Sequence, residues 1–106
     1  MGFSFKSIIH PEATVSKYAK ISEGSQVLAG AIIQTDSLIG INSIINTGAQ
    51  IDHDCIIGNH CHIAPGCILC GHVTISDMVF LGCGSTVVPG VQLHTQKFYK
   101  ANSIIK

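Results

Sequence analysis

The chain has 106 residues, of which 46% are hydrophobic and 11% are charged, and its formal net charge at pH 7 is zero. All basic residues are lysines and none lies between residues 20 and 97, so the chain lacks the basic patch that nucleic acids require. No apolar run approaches the ~18 residues of a membrane span. We therefore expect one domain over residues 1–106 that binds neither nucleic acid nor a membrane.

A repeat with a period of six follows an N-terminal segment of residues 1–8, which lacks the apolar stretch of a signal peptide. Every sixth residue from Ile9 to Leu93 is Ile, Val or Leu, and the residue two places earlier is always small or β-branched. This period is typical of a parallel β-helix, in which each short strand directs both residues inward. We therefore predict an all-β parallel β-helix whose last coil, residues 95–106, has a weakened pattern.

The corners of this helix can be located by counting each aliphatic residue as position one. Position three holds all three prolines and position four holds six of the eleven glycines. Pro followed by Gly suits a type II turn, whose second central residue needs a positive φ. Position four also holds five residues of types that tolerate this conformation: Asp36, Asn42, Asp54, His60 and His72.

The size of one coil is indicated by the spacing of four corner glycines, Gly30, Gly48, Gly66 and Gly84, which recur every eighteen residues. Three hexads per coil predict a triangular prism of about five and a half coils. Position six lies in the middle of each strand and faces outward, and it is repeatedly apolar. Contiguous outward apolar residues indicate a partner surface, so we expect self-association through Ile32, Leu38, Ile44, Ile56, Ile68 and Phe80.

Residues 51–66, IDHDCIIGNHCHIAPG, concentrate three histidines and two aspartates. His53 lies at a corner position where other coils carry residues such as Pro, Lys, Thr or Asn, so the turn does not require it. Asp54 suits a positive-φ corner, but it can also project beside His53. His62 is an outward residue in an otherwise apolar stripe, which is unusual on a free surface. Solvated corner residues and an interface histidine remain the simpler alternatives for these three.

The five cysteines are an odd number and do not favour a secreted disulfide framework. Cys55, Cys61 and Cys67 are six residues apart at inward positions, so we expect them to be small core residues in a protein of the reducing cytoplasm. Cys67 and Cys70 match C-x-x-C, but they point to opposite sides of the strand. We therefore expect no metal there.

Over essentially its whole length the hexad pattern resembles the left-handed β-helix hexapeptide acyltransferases. Residues 45–93, with the DHDC…H spacing at 52–62, resemble the bacterial sugar acyltransferases that include sialic acid O-acetyltransferases and bacillosamine N-acetyltransferases. This resemblance implies a left-handed coil, a homotrimer, and acetyl-CoA as the co-substrate without a metal. It also implies direct acetyl transfer to an amino or hydroxyl group of a sugar or sugar nucleotide.

The same resemblance implies roles for individual residues. His53 matches the family's general base, and Asp54 matches the acidic residue beside it. His62 matches a second active-site histidine. Gly71 matches the residue whose backbone N–H holds the thioester carbonyl, and its spacing from His53 predicts the same corner one coil along, ~4.8 Å away. The resemblance also implies that the wall of the pantetheine channel lies near Gly82 and Cys83.

Two other functions remain open at this point. The family's N-terminal, sugar-nucleotide-binding domain has no counterpart in this sequence, so the acceptor pocket is unassigned and a non-catalytic trimeric scaffold is an alternative. The γ-class carbonic anhydrases share the fold and bind zinc through two histidines five residues apart. The six histidines of this chain contain no such pair.

Overall fold

The computed structural model describes residues 6–94 and 97–106, and these residues form a β-solenoid with coils of eighteen residues. The described residues form seventeen strands of two residues each and no helix. In this part of the chain there is accordingly no helix that is long and apolar enough to cross a membrane. The predicted all-β parallel fold is confirmed.

The strands stack into three parallel sheets, which are the faces of a triangular prism. Face A consists of β1 (Ile8–Ile9), β4 (Gln26–Val27), β7 (Ile44–Ile45), β10 (His62–Ile63), β13 (Phe80–Leu81) and β16 (Phe98–Tyr99). Face B consists of β2 (Thr14–Val15), β5 (Ile32–Ile33), β8 (Gln50–Ile51), β11 (Ile68–Leu69), β14 (Thr86–Val87) and β17 (Ile104–Ile105). Face C consists of β3 (Lys20–Ile21), β6 (Leu38–Ile39), β9 (Ile56–Ile57), β12 (Thr74–Ile75) and β15 (Gln92–Leu93).

Each strand inside a face pairs in register with the strands eighteen residues before and after it, and the strands at the two ends of each face pair on one side. Thus His62 pairs with Ile44 on one side and with Phe80 on the other. Because the register never slips, residues at one hexad position form a continuous row along the prism. Side chains that are far apart in sequence therefore become neighbours along a face or an edge.

The aliphatic residues of the six-residue period fill the interior as predicted. From Val27 to Val87, each of them is at most 2% exposed. Burial of one such side chain contributes roughly 1.5–3 kcal/mol. At the N-terminal end of the stack Ile9 is 45% exposed, because no coil among the described residues precedes it.

From Ser25 to Ser85 the small inward residues are buried, and among the described residues no buried side-chain nitrogen or oxygen lacks a hydrogen-bond partner. The hydroxyl of Ser37 donates to the carbonyl oxygen of Asp52 at 2.8 Å. The thiol of Cys61 donates to the carbonyl oxygen of Ser76 at 3.1 Å. Cys55 and Cys67 are buried in the same way, as predicted, and all five cysteines are free. Burial raises the pKa of the Cys55, Cys61 and Cys67 thiols, which keeps them protonated.

The predicted corners are confirmed by the backbone. Position four has a positive φ at every corner from Gly24 to Gly90, including all five non-glycine residues predicted from the sequence. Met78 also adopts φ 60°, although its side chain does not favour this region. The amides of most position-four residues bond to the coil before them, as His72 N does to His53 O at 3.1 Å.

The weakened last coil keeps the register of the coils before it. Phe98 in β16 pairs with Phe80, and Ile104 in β17 pairs with Thr86. Residues 95–96 of this coil and residues 1–5 of the N-terminal segment lie outside the described residues.

Candidate active site

The titratable cluster of the sequence lies on the edge between faces B and C, which we call edge BC. Each coil contributes a pair of corner residues to this edge, because β8 and β11 both end on it. Successive coils contribute Thr35–Asp36, His53–Asp54, Gly71–His72 and Pro89–Gly90. Residues 53 and 71 therefore share one edge, as predicted.

His53 and Asp54 form a hydrogen-bonded pair on this edge. Nδ1 of His53 donates to Oδ2 of Asp54 at 2.9 Å, and both side chains are a little under half exposed. The φ of 57° at Asp54 lets two consecutive side chains project to the same side. With the proton held on Nδ1, the lone pair of Nε2 is available to accept another proton.

The electrostatics of the pair favour the imidazolium form of His53. The hydrogen bond to the Asp54 carboxylate raises the pKa of His53 above its ordinary value of 6.5, and the negative charge of Asp52 raises it further. The carboxylate of Asp52 also accepts the backbone N–H of His53 at 2.8 Å. The site is therefore built to stabilise a positive charge on this ring.

The ring of His53 lies against Gly71 of the next coil. A Cβ added to Gly71 would lie 2.6 Å from His53 Nε2 and 2.8 Å from its Cε1. Gly71 does not have a positive φ, so its lack of a side chain is required by space and not by conformation. Nε2 is thereby held beside the backbone of residue 71.

The amide N–H of Gly71 has no acceptor among the described residues. On the edge between faces C and A, the equivalent amides of Ile41 and Asn59 donate to side chains of the following coil, at 2.8 Å each. On edge BC the following coil presents Pro89, whose side chain accepts no hydrogen bond. A bare N–H is therefore left next to His53 Nε2.

His62 lies elsewhere, on face A, which is opposite edge BC in a triangular prism. Its ring contacts Phe80 edge-on at 4.8 Å, and Phe80 stacks on Phe98 at 5.0 Å. Burial lowers the pKa of His62, so the ring stays neutral. Within one chain, His62 and His53 therefore do not face a common substrate.

Asn46 fixes the tautomer of His62, and sequence reasoning missed it. Oδ1 of Asn46 accepts the N–H of Thr47 at 2.7 Å, which turns its Nδ2 toward His62 Nε2 at 3.1 Å. Nε2 is thus the acceptor, and Nδ1 carries the proton. Asn46 follows Ile44 by two residues and so points outward on the same face, which is a signal that the sequence contains.

Gly82 and Cys83, the residues expected near the wall of the pantetheine channel, lie on the edge between faces A and B. A Cβ on Gly82 would meet the backbone of the next coil, 2.8 Å from Tyr99 O, so this glycine is required for close stacking. Cys83 beside it is exposed. In one chain these residues lie on a different edge from His53.

A second residue that sequence reasoning assigned only to a turn, His72, contacts the candidate base. Its ring lies edge-on to the ring of His53, with 5.1 Å between centroids and 87° between planes. The signal for this contact was the position of His72 directly after Gly71, on the same edge and one coil along.

Comparison with known proteins agrees with this architecture. The bacterial transferase hexapeptide model, which describes six repeats, matches residues 36–71 and so includes His53, His62 and Gly71. A comparison with curated proteins gave no significant match.

Solved structures match nearly the whole chain. A histidine-to-asparagine variant of perosamine N-acetyltransferase from Caulobacter crescentus, in complex with CoA and GDP-perosamine, is 42% identical with a TM-score of 0.96; the match covers 99% of this chain and 50% of that one. The acetyltransferase domain of PglB from Neisseria gonorrhoeae is 35% identical with a TM-score of 0.97, over 99% and 51% of the two chains. The same domain has been solved with acetyl coenzyme A, at 32% identity and a TM-score of 0.71, over 92% and 55%.

The present chain thus spans about half the length of these solved chains. Its repeat, its β-solenoid and its similarity to two acetyltransferases agree with one another. Residues 36–71 therefore carry the hexapeptide repeat of the bacterial transferases, and nearly the whole chain shares the fold of these two acetyltransferases.

Proposed function

We propose that this chain transfers an acetyl group from acetyl-CoA to the amino group of a sugar nucleotide, with His53 as the general base. The observation that carries the proposal is the placement of His53 Nε2 beside the bare amide of Gly71, with Nδ1 bonded to Asp54. Support for the substrates comes from the relatives, one solved with CoA and GDP-perosamine and another with acetyl coenzyme A.

The reaction needs no covalent enzyme intermediate, because the thioester is already activated. Nε2 of His53 accepts a proton from the attacking amine as its nitrogen bonds to the thioester carbon. The C–S bond then breaks, and the imidazolium returns the proton to the leaving CoA thiolate. Asp54 stabilises the imidazolium between these two steps, which is the physical meaning of the raised pKa of His53.

The amide of Gly71 supplies the second element of the mechanism. Negative charge develops on the carbonyl oxygen as the amine attacks, and a preorganised donor at that point stabilises it. Because Pro89 offers this N–H no side-chain acceptor, it remains available to the substrate. The base then acts on the attacking amine and the donor on the carbonyl oxygen, from neighbouring coils of the same edge.

The complete site is proposed to form between copies of the chain in a homotrimer. Edge BC of one copy beside face A of the next would bring His62 to the substrate, which one chain cannot do. His62 would then donate through Nδ1 to the cofactor or the acceptor, and Gly82 and Cys83 would line the pantetheine channel. The exposed side chains of Leu38, Ile56 and Ile68 provide apolar surface for such contacts.

We place the reaction in the bacterial cytoplasm. The relatives are bacterial acetyltransferases. All five cysteines are free, as expected in a reducing compartment.

The proposal is tested by calorimetric titration of the chain with acetyl-CoA, followed by incubation with acetyl-CoA and GDP-perosamine and mass spectrometry of the sugar nucleotide. We expect binding in the micromolar range and a product that is heavier by one acetyl group. A scaffold without catalytic function would bind no acetyl-CoA and yield no product, and that result would refute the proposal. GDP-mannose, a sugar nucleotide whose sugar has no amino group, serves as the control acceptor.

A further inference from the structure

Edge BC carries a group of potential metal ligands that the proposed reaction does not require as a group. His53, Asp54 and His72 each offer one ligand atom, and these atoms all lie within 4.8 Å of one another. No other group of three His, Cys, Asp or Glu residues comes this close in residues 6–94 and 97–106. All three side chains are exposed, so an ion can reach them directly from solvent.

The fold explains how three ligands converge. His53 and Asp54 are the consecutive corner residues of one coil, and the φ of 57° at Asp54 turns its carboxylate to the ring. His72 is the corner residue of the next coil, held by the hydrogen bond from its amide to His53 O at 3.1 Å. The ligand set is therefore positioned by stacked backbone and not by a mobile loop.

The chemistry of this set selects the ion. Two imidazoles and a carboxylate suit Zn²⁺ and its first-row neighbours and not Ca²⁺ or Mg²⁺, which prefer oxygen ligands. Nδ1 of His53 and Oδ2 of Asp54 are 2.9 Å apart. Two ligands at about 2.1 Å from one ion would subtend about 90° at this separation, and a shift of about 0.5 Å between exposed side chains gives the tetrahedral angle.

We propose that edge BC binds a divalent transition-metal ion, with Zn²⁺ as the best fit, through His53, Asp54 and His72, and that the bound ion inhibits acetyl transfer. The ion is an inhibitor here and not a cofactor. Bound at Nδ1, it displaces the proton that Nδ1 donates to Asp54, and the neutral ring then carries its proton on Nε2. Bound at Nε2, it occupies the lone pair directly.

Both binding modes remove the lone pair that the base needs. The inhibitory half of the inference rests on the proposed function, whereas the binding half does not. The two halves are therefore tested separately, and binding is measured with the metal alone.

The binding test is equilibrium dialysis of the full chain against ZnCl₂, with the visible absorption of Co²⁺ as a second readout of the ligand geometry. His72→Asn removes one ligand and retains a residue type that tolerates the φ of 60°. His60→Asn is the matched control, because His60 is an exposed corner histidine with φ 56° on a different edge. Circular dichroism establishes that each variant is folded, and Asp54→Asn provides a second ligand variant.

We expect one Zn²⁺ per chain, affinity lowered at least tenfold by His72→Asn and by Asp54→Asn, and affinity unchanged by His60→Asn. Absence of binding up to about 1 mM Zn²⁺, or equal losses in the His72 and His60 variants, would overturn the metal site. In the activity arm, Zn²⁺ should inhibit acetyl transfer by the wild type at least tenfold more strongly than transfer by His72→Asn. Stoichiometric binding without inhibition would overturn the inhibitory half.

Discussion

The imidazole of His53 lies directly over the Cα of Gly71, one coil along the same edge, so closely that a methyl group at residue 71 would be 2.6 Å from Nε2. This contact joins the two elements of the proposed mechanism, the base and the bare amide. It depends only on the stacking of coils in register and on glycine at one corner position.

Gly71→Ala should lower kcat/KM for acetyl transfer at least tenfold with little change in the melting temperature. The added methyl meets the far end of an exposed side chain, which swings away at small cost, and the backbone of residue 71 suits alanine. The base is thereby displaced from the amide. Steady-state kinetics and calorimetric melting measure the two effects.

Gly58→Ala is the matched control for that substitution. A Cβ at residue 58 would meet backbone atoms of the next coil, 2.7 Å from Asp77 N and 2.8 Å from Ser76 C. This variant should lose stability while its folded fraction keeps normal activity. The same pattern in Gly71→Ala, a lower melting temperature with intact turnover, would contradict the role of the His53–Gly71 contact.

Asp54→Asn should move the pH dependence of acetyl transfer. The base acts only when deprotonated, so activity rises as pH rises through the folded-state pKa of His53, which lies above 6.5 mainly because of the hydrogen bond to Asp54. Without the carboxylate this pKa falls toward 6.5, and the acid limb of kcat/KM shifts to lower pH. The variant also loses stabilisation of the imidazolium, so its maximal rate should be lower.

The same pair has a small linkage effect on folding. Because the folded-state pKa of His53 is raised, its contribution to stability is fully present below pH 6.5 and is lost as pH rises through the folded-state value.

Asp36→Asn is the control for Asp54→Asn, because it removes one negative charge from the same edge, one coil earlier, at a residue with φ 62°. An acid limb that shifts equally in both variants would refute the specific role of Asp54.

Asn46→Asp should invert the tautomer of His62. In the wild type, the amide of Asn46 donates to Nε2, and the ring proton is on Nδ1. A carboxylate at this position accepts from Nε2–H instead, which leaves Nδ1 as an acceptor. ¹⁵N chemical shifts of the ring identify the tautomer in both proteins, and a wild-type ring protonated on Nε2 would refute the assignment.

Two consecutive isoleucines of β9 test which side chains of a strand point into the core and which point outward. Ile57 is 2% exposed and Ile56 is 47% exposed. In a chain that is not assembled into the proposed trimer, Ile57→Ala should lower the free energy of unfolding by about 2–5 kcal/mol and Ile56→Ala by no more than about 0.5 kcal/mol. Urea denaturation measures both; equal losses would contradict the inward and outward assignment.

The coiled architecture was predictable because strand alternation and corner conformation both repeat with a strict period. The interior residues from Val27 to Val87 and the positive-φ corners follow directly from that period. Met78 is an exception to the rule that residue type predicts a positive φ. Its left-handed backbone is not the preference of its side chain, and its amide bonds to Asn59 O of the preceding coil at 2.9 Å, so composition alone does not reveal that conformation.

The contacts of the candidate site along edge BC were predictable from the sequence, whereas the contact of His62 on face A was less so. His53, Asp54 and Gly71 share edge BC, and a spacing of eighteen residues was enough to place them together. The bond between Asn46 and His62 spans sixteen residues, so it depends on side-chain direction within a coil and not on the repeat alone. The placement of His62 opposite His53 follows from the order of the three faces.

The most direct test of the central claim is the rate of acetyl transfer by His53→Ala, measured together with its affinity for acetyl-CoA. The account predicts that transfer falls by about 10²–10⁴-fold, the usual contribution of a general base, while the affinity and the folded state are retained. Turnover equal to that of the wild type would contradict it.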